Sequence, residues 1–331
     1  MDLRQIRDYL YGFWVAREMQ EFHKRGGKVV VITGSYGKTS VKELAYDLLR
    51  QKYEVVKTAG NYNTVVGIAK TLRYEVTKNT KLLILEVGAY RVGEITYFCK
   101  ILRPDIGVIA GIARQHLERF GSWEKIIFAK TEIMRYLKDN GGILIANQSD
   151  ETVSKVVKNA LWYTGRERNI NNQNAAKIIA QACGMSKQEI ESRIQYFRDV
   201  PSRFELTENR YGMKVIDDSY NSNEKSFVQA IEYLGRQKDC VRVLVTPGLL
   251  ELGNESNKIH EQLGTQIIGN ADLVILVGKN ERTSALELGI NKKVKVLYIE
   301  KTLQFMQLIK NLKLKKEPLV LLENDIPENN N

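Results

Sequence analysis

The run VVVITGSYGKTS, residues 29–40, decides the fold. Its first half, with Lys28 in front of it, is a short β-branched stretch that reads as a buried strand. The following KTSVKELAYDLLRQ (38–51) places Val41, Leu44, Ala45 and Leu48 at helical spacing, which predicts a helix with that face inward. Between them, Gly34 to Thr39 breaks both patterns. A glycine-rich turn from strand to helix directs successive backbone N–H groups at an anion, and the helix N-terminus adds its dipole. In such a loop Lys38 reaches the outer phosphates and Thr39 holds Mg²⁺. Gly34, Ser35, Gly37 and Ser40 supply the remaining loop positions. Two residues lie between the glycines where the common Walker loop has four. The alternative is a plain β-turn-α unit with a surface lysine.

Working outward, strands and helices keep alternating. EVVKT (54–58), KLLILEV (81–87), DIGVIA (105–110) and GGILIAN (141–147) are short apolar runs separated by helix-like segments. That alternation predicts an α/β fold, a central P-loop-type parallel sheet with helices on both faces. SKQE (186–189) is a capping box opening a helix with Ile190, Ile194 and Phe197 on one face. VPSRFE (200–205) is a break, after which YGMKVIDDSYNSN, CVRVLVTPG, ADLVILVG, KVKVLYI and PLVLLE give five further strands. The expected organisation is an amphipathic helix over 1–26, a central ATP-binding domain over 27–200, and a Rossmann-like α/β domain over 201–331. In the first segment Leu3, Ile6, Leu10 and Phe13 form the apolar stripe, with Arg4, Arg7 and Arg17 mostly off it. The expectation is packing on the first domain; the sharper alternative is a membrane-surface or protein partner for residues 1–24.

The composition limits the function classes. A 331-residue chain that is 43% hydrophobic can bury two cores. No apolar run approaches the roughly 18 residues of a membrane span, and no signal-peptide pattern is present. Cys99, Cys183 and Cys240 are scattered, which suits a reducing compartment and a cytoplasmic location. The net charge of +11 points to anionic partners. It is spread without a basic block, so nucleic acid is not expected.

Further candidates surround the loop. Glu86 ends the buried strand LLILE, at the carboxyl edge where open parallel sheets bind ligands. A carboxylate there is a natural Mg²⁺ ligand. His116 falls just past DIGVIA, and Lys130 lies within a helical stretch; by themselves both also fit structural or solvated roles.

Taken together, the motifs TGSYGKTS, NYNTVVGI (61–68), LEVGAYRVGEI (85–95), HLERFGSWEKIIFAKTEI (116–133), NINNQNAAKI (169–178), SRFE (202–205), DDSYNSN (217–223) and LLELGNES (249–256) resemble the Mur ligases. These are the ATP-dependent amide-forming ligases of cell-wall precursor synthesis. HLERFGS…AKTEI and DDSYNSN are most similar to the branch that adds D-alanyl-D-alanine to the muramyl tripeptide. The resemblance implies that ATP and two Mg²⁺ ions are used. Lys38 and the loop amides would bind phosphates; Thr39 and Glu86 would hold one ion. His116 and a carbamylated Lys130 would support the second. Asn171, Arg203 and Asp218 would contact the nucleotide, and Asn61 and Asn63 would lie near the acyl substrate. The implied reaction joins an anionic small-molecule or peptide carboxylate to an amino-acid or dipeptide amine through an acyl phosphate. The protein would work in the cytoplasm or at the inner face of the membrane.

The pattern departs from the family in four places. Residues 1–27 alone precede the first strand, where the family has a domain that grips the UDP part of its substrate. Residues 152–168 replace a β-rich insertion, and Ile170 stands where a histidine usually precedes Asn171. LVTPGLLELG and VLLENDIPE differ from the usual Gly-Asp-Met and Lys-Gly-Ser tracts. Gly111 replaces an asparagine. A folyl-polyglutamate or polyamino-acid synthetase, and a non-catalytic ATP-binding scaffold, are the alternative readings.

Overall fold

The computed structural model describes residues 3–60, 62–194, 197, 205–208, 213–219, 222–312 and 314–324. The chain divides into two compact units, one of Met1–Ile112 with Arg119–Arg198 and one of Ala113–Glu118 with Asp199–Asn331.

The first unit begins with α1 (Leu3–Lys24), β1 (Lys28–Thr33), α2 (Lys38–Leu49), β2 (Val55–Lys57), α3 (Val65–Tyr74), β3 (Leu82–Glu86), α4 (Glu94–Leu102) and β4 (Ile106–Ile109). After α5 (Leu117–Phe120), which straddles the border, come α6 (Trp123–Lys130), α7 (Glu132–Asn140), β5 (Ile143–Asn147), α8 (Glu151–Val156), β6 (Leu161–Tyr163), α9 (Arg168–Ala182) and α10 (Lys187–Ile194). The strands form one parallel sheet in the order β2-β3-β1-β4-β5-β6. The chain leaves β1 towards one side and later returns to its other side, so the turn after β1 opens at a topological switch point.

Strand pleating explains the continuous apolar runs. Val30 and Ile32 face a core shared with α2, α9 and α10, while Val29 and Val31 are equally buried on the opposite face. There Gly107 lets Ile133 and Leu137 of α7 lie against the sheet, where a Cβ would be within 2.5–2.7 Å of their methyl groups. Val41, Leu44, Ala45 and Leu48 are buried as expected. The capping box at α10 is formed, with Glu189 N–H donating to Ser186 Oγ at 3.2 Å and Ser186 N–H to Glu189 Oε2 at 2.7 Å.

One expectation is corrected. The buried face of α1 is Val15, Met19 and Phe22, and Leu10 and Phe13 of the expected stripe are 62% and 72% exposed. Packing against α3 and α4 selects this face, and Gly12 lets Tyr97 of α4 come against the helix backbone. The side chains of Leu3 and Ile6 lie outside the described residues; the stripe misdirected the reading because apolar residues occupy more than one side of the helix.

The second unit contains β7 (Glu205–Glu208), β8 (Lys214–Asp218), α11 (Glu224–Gly235), β9 (Val241–Thr246), α12 (Ser256–Ile267), β10 (Leu273–Val277), α13 (Glu281–Ile290), β11 (Lys295–Ile299), α14 (Gln304–Asn311) and β12 (Pro318–Glu323). Its sheet runs β11-β10-β9-β12-β8-β7, parallel except for the antiparallel edge strand β7. One face packs Ile216, Leu244 and Leu321 against α11, α12 and α13; the other packs Val243, Ile275 and Val320 against α14. The fold is thus mixed α/β with two doubly covered sheets. No helix among the described residues is long and apolar enough to cross a membrane.

Candidate functional site

The turn after β1 is fastened to the end of β4. Ser35 N–H donates to Gly111 O at 2.6 Å. Gly34 (φ 146°) has no room for a side chain, since a Cβ would lie 2.8 Å from Gly111 O. Gly37 (φ 80°) takes the left-handed conformation at the N-cap of α2, and no side chain caps that helix. The first amides of α2 therefore have no capping side chain, the arrangement that receives an anion. Lys38 folds back over the loop, its Nζ donating to Gly34 O at 2.9 Å and to Ser35 O at 3.4 Å. Ser40 is buried in the same first turn.

Thr39 Oγ1 donates to Glu86 Oε2 at 2.8 Å, joining α2 to the end of β3. Glu86 is almost wholly buried, and its amide donates to Thr58 Oγ1 at 3.0 Å. The same Oε2 lies 3.4 Å from Lys42 Nζ. Lys42 is fully buried and also donates to Gly60 O. Burial pushes its ammonium below the usual value, against the pull of Glu86 and Glu43. Sequence reasoning missed Lys42, although a lysine set beside Val41 and Ala45 in an inward-facing stripe was the available signal. Asn63 packs on the backbone just after Glu86: Gly88 N–H donates to Asn63 O at 3.1 Å. Asn61 lies outside the described residues.

Tyr36 is the second residue missed. Its hydroxyl donates to Asp150, whose carboxylate also accepts from Ile112 N–H at 3.1 Å and Val153 N–H at 2.9 Å. Burial, with Asp150 beside it, holds the phenol far above its usual value. The ring fills the space over Gly111, and a Cβ there would overlap it. The departure at Gly111 is thus matched by the large residue inside the loop.

Lys130 ends α6, is buried, and donates to Ala89 O at 3.2 Å. Burial, reinforced by the positive charge of Lys38, pulls its pKa down to about 7 against the opposing influence of Glu94 and Glu132. Glu132, two residues on, accepts from Gly93 N–H at 2.6 Å and Thr96 N–H at 2.7 Å and so holds the start of α4. Asn171 lies near the start of α9, and its buried Oδ1 has no hydrogen-bond partner. Its neighbour Asn172 is the one whose amide faces Gly37, 3.5 Å from where a Cβ would stand.

His116 belongs to the second unit by its contacts. Its Nδ1 meets the Glu251 carboxylate, and Glu118 N–H donates to Glu251 O at 3.4 Å. His116 (φ 58°) and Glu251 (φ 57°) both take left-handed backbone conformations. The turn before Glu251 is set by neutral His260, which accepts from Leu249 N–H at 2.8 Å and donates from Nδ1 to Ser256 O at 2.6 Å. Burial lowers the pKa of that imidazole. Asp218 is buried at the end of β8, where its carbonyl accepts from Asn324 N–H at 3.2 Å. Arg203 lies outside the described residues. Among the described residues no group of three or more His, Cys, Asp or Glu side chains gathers in metal-ligating geometry. Thr39 and Glu86 do bring two hard oxygen donors together at the edge of the loop, a fit for part of a Mg²⁺ shell whose other ligands come from phosphate and water.

The family described as Mur ligase middle domain matches residues 32–207, and that described as Mur ligase, glutamate ligase domain matches residues 202–323. The UDP-N-acetylmuramoyl-tripeptide–D-alanyl-D-alanine ligase of Escherichia coli is 30% identical over 311 residues, covering 80% of this chain and 68% of that protein. The protein of the same name from Bacillus subtilis is 27% identical, covering 77% of this chain and 63% of its own length. The chain therefore spans about two thirds of the curated relatives it matches. The crystal structure of MurF ligase from Thermotoga maritima in complex with ADP superposes with a TM-score of 0.82 at 26% identity, covering 95% of this chain and 80% of that one. With both domains matched and the fold shared, the chain belongs to the Mur ligase family.

Proposed function

We propose that this protein is an ATP-dependent carboxylate–amine ligase of peptidoglycan-precursor synthesis, working through an acyl phosphate in the cytoplasm. The observation that carries the reading is the convergence at one sheet edge of an uncapped helix N-terminus, Lys38, and the Thr39–Glu86 pair. A carboxylate is a poor acyl donor because its oxygen does not leave. Phosphoryl transfer to that oxygen makes it a leaving group, and the two anions must first be held together against their repulsion. The loop amides and Lys38 bind the phosphates and offset that charge. Thr39 and Glu86 would hold Mg²⁺, which would supply electrostatic stabilisation of the phosphates when bound. Asn171, with its unsatisfied acceptor, Arg203 and Asp218 serve the nucleotide; Asn61 and Asn63 serve the acyl substrate.

Lys130 has the chemistry for carbamylation. With its pKa pulled down to about 7 by burial, the side chain gives up its proton far more readily than an exposed lysine. The uncharged amine nitrogen can add to CO₂, forming an N–C bond as one C=O π bond opens and releasing the N–H proton, which converts a neutral amine into an anionic carbamate; starting from the ammonium, a first proton is lost beforehand. That group and His116 would support a second ion. The amine substrate is an amino acid or dipeptide, and the names of the relatives make D-alanyl-D-alanine the first choice.

The test is phosphate release from ATP with Mg²⁺ and bicarbonate, using UDP-N-acetylmuramoyl-tripeptide and D-alanyl-D-alanine. Release that requires both partners is the expected result. ATP binding without release, for this pair and for other muramyl peptides and amino acids, would overturn the ligase reading in favour of a non-catalytic scaffold.

A further inference from the structure

The helix α1 carries more apolar surface than the fold covers. Val15, Met19 and Phe22 are buried against the unit, while Tyr9, Leu10 and Phe13 remain 67%, 62% and 72% exposed. A helix that is apolar on more than one side is expected to be covered on more than one side. Beside these residues, α1 and α3 enclose a groove of about 580 Å³, walled by Leu10, Trp14 and Tyr74 and bordered by Arg7, Lys70 and Arg73. Tyr74 is itself 73% exposed. Glycine, alanine and aliphatic residues of α3 (Gly67, Ile68, Ala69, Leu72) are turned inward, so the outward side of that helix is left to Lys70, Arg73 and Tyr74.

The occupant can be argued from the chemistry of the border. The groove's charged lining residues, Arg7, Lys70 and Arg73, are all cations, and Asp8 lies 2.9 Å from Arg7. The Lys70 ammonium and the Arg73 guanidinium lie over the Tyr62 and Tyr74 rings, each 5.8 Å from the centroid, so the border pairs cations with aromatic faces. Exposed Phe and Leu flanked by Tyr, Trp and basic side chains is the composition that seats at the headgroup level of a bilayer. The cations then meet anionic headgroups as the apolar side chains enter the acyl boundary. The net charge of +11 acts in the same direction over longer range.

We infer that the α1–α3 face of the first unit docks on a bilayer surface bearing anionic phospholipid, with Leu10 and Phe13 as the inserted side chains and Arg7, Lys70 and Arg73 as the headgroup contacts. The docking leaves the phosphate loop at its own sheet edge and is independent of the ligase reading.

The test is co-sedimentation of the full chain with phosphatidylcholine vesicles and with vesicles containing phosphatidylglycerol, at low and high salt. The account predicts binding to the anionic vesicles that falls as salt rises and is at least about ten-fold weaker to phosphatidylcholine. L10E/F13E and K70E/R73E should each lower binding by about ten-fold or more, with ADP affinity unchanged as the measure of intact fold. Failure of the unaltered chain to sediment with either vesicle would overturn the inference. So would binding that both double variants retain, or a dimer in light scattering that L10E/F13E dissociates, since a second copy would then be the occupant. Loss of ATP turnover with vesicle binding intact would count against the ligase reading alone.

Discussion

Thr39 Oγ1 and Glu86 Oε2 stand 2.8 Å apart, so a residue of the phosphate loop's helix and the end of the neighbouring strand share one hydrogen bond. The register β1–β3, which pairs Ile32 with Glu86, makes this contact possible. Lys42 approaches the same carboxylate oxygen from one turn further along α2 and ties it to the Gly60 carbonyl. The metal-type oxygen pair and the loop leading to Asn63 are thereby fixed to one another through a buried lysine.

Removing one partner of that buried pair leaves an uncompensated charge. Lys42→Met should destabilise the protein by about 3–5 kcal/mol in denaturant unfolding. Adding Glu86→Gln in the same chain should recover part of the loss, because the stranded carboxylate is then neutral. Equal stability of the single variant and the parent would show that Lys42 does not hold Glu86.

Much of this organisation was legible in the sequence, for a physical reason. Parallel strands covered on both faces are continuous apolar runs, so β1, β3, β4 and β10 were visible at once. The edge strands β6 (Leu161–Tyr163) and β7 (Glu205–Glu208) lack such a run and were not seen, although the equally short edge strand β2 was read from EVVKT. The phosphate loop is a local pattern and was readable. Lys42–Glu86 and Tyr36–Gly111 are contacts between residues 44 and 75 positions apart, which no local spacing encodes. The face of α1 was misread because its partner helices, and not its own periodicity, choose between two apolar sides.

Tyr36 and Gly111 should be replaceable only as a pair. Gly111 does not need a glycine conformation, so Gly111→Asn acts through its side chain, which must displace the Tyr36 ring. A cost of about 1–3 kcal/mol is expected from overpacking, together with weaker ADP binding as the loop shifts. Tyr36→Ser in the same chain should restore most of the lost stability. Thermal melting and ADP titration of the two single variants and the pair measure this; additive losses would contradict the coupling.

Lys130 gives a pH dependence with a definite sign. Its pKa in the folded chain is about 7, below that of an exposed lysine, so the unfolded chain holds the extra proton between about 7 and 10.5. This residue's contribution to stability therefore increases as pH rises through that window, and its burial penalty is fully present below about 7. The amine available to CO₂ disappears over the same descent. Phosphate release should fall on acidification below about pH 7, and at fixed pH below 7 added bicarbonate should raise it. Lys130→Arg, which cannot deprotonate, should remove the bicarbonate response; an unchanged response would contradict the assignment.

Lys38→Ala should reduce ATP turnover by about 100-fold or more, since it removes a charge placed where phosphoryl transfer shifts negative charge. Its Nζ donates to the loop's own carbonyls Gly34 O and Ser35 O, and these bonds join no other element, so the melting temperature should stay within about 3 °C of the parent. A variant with full turnover would remove the loop from the reaction.

The central claim is that phosphate is transferred to a substrate carboxylate before the amine attacks. The most direct measurement uses muramyl peptide labelled with ¹⁸O in its acceptor carboxylate, incubated with ATP, Mg²⁺, bicarbonate and D-alanyl-D-alanine. An acyl phosphate hands one carboxylate oxygen to the departing phosphate, so released phosphate carrying one ¹⁸O atom, in step with amide formation, is the predicted result. Amide formation with unlabelled phosphate would contradict the account.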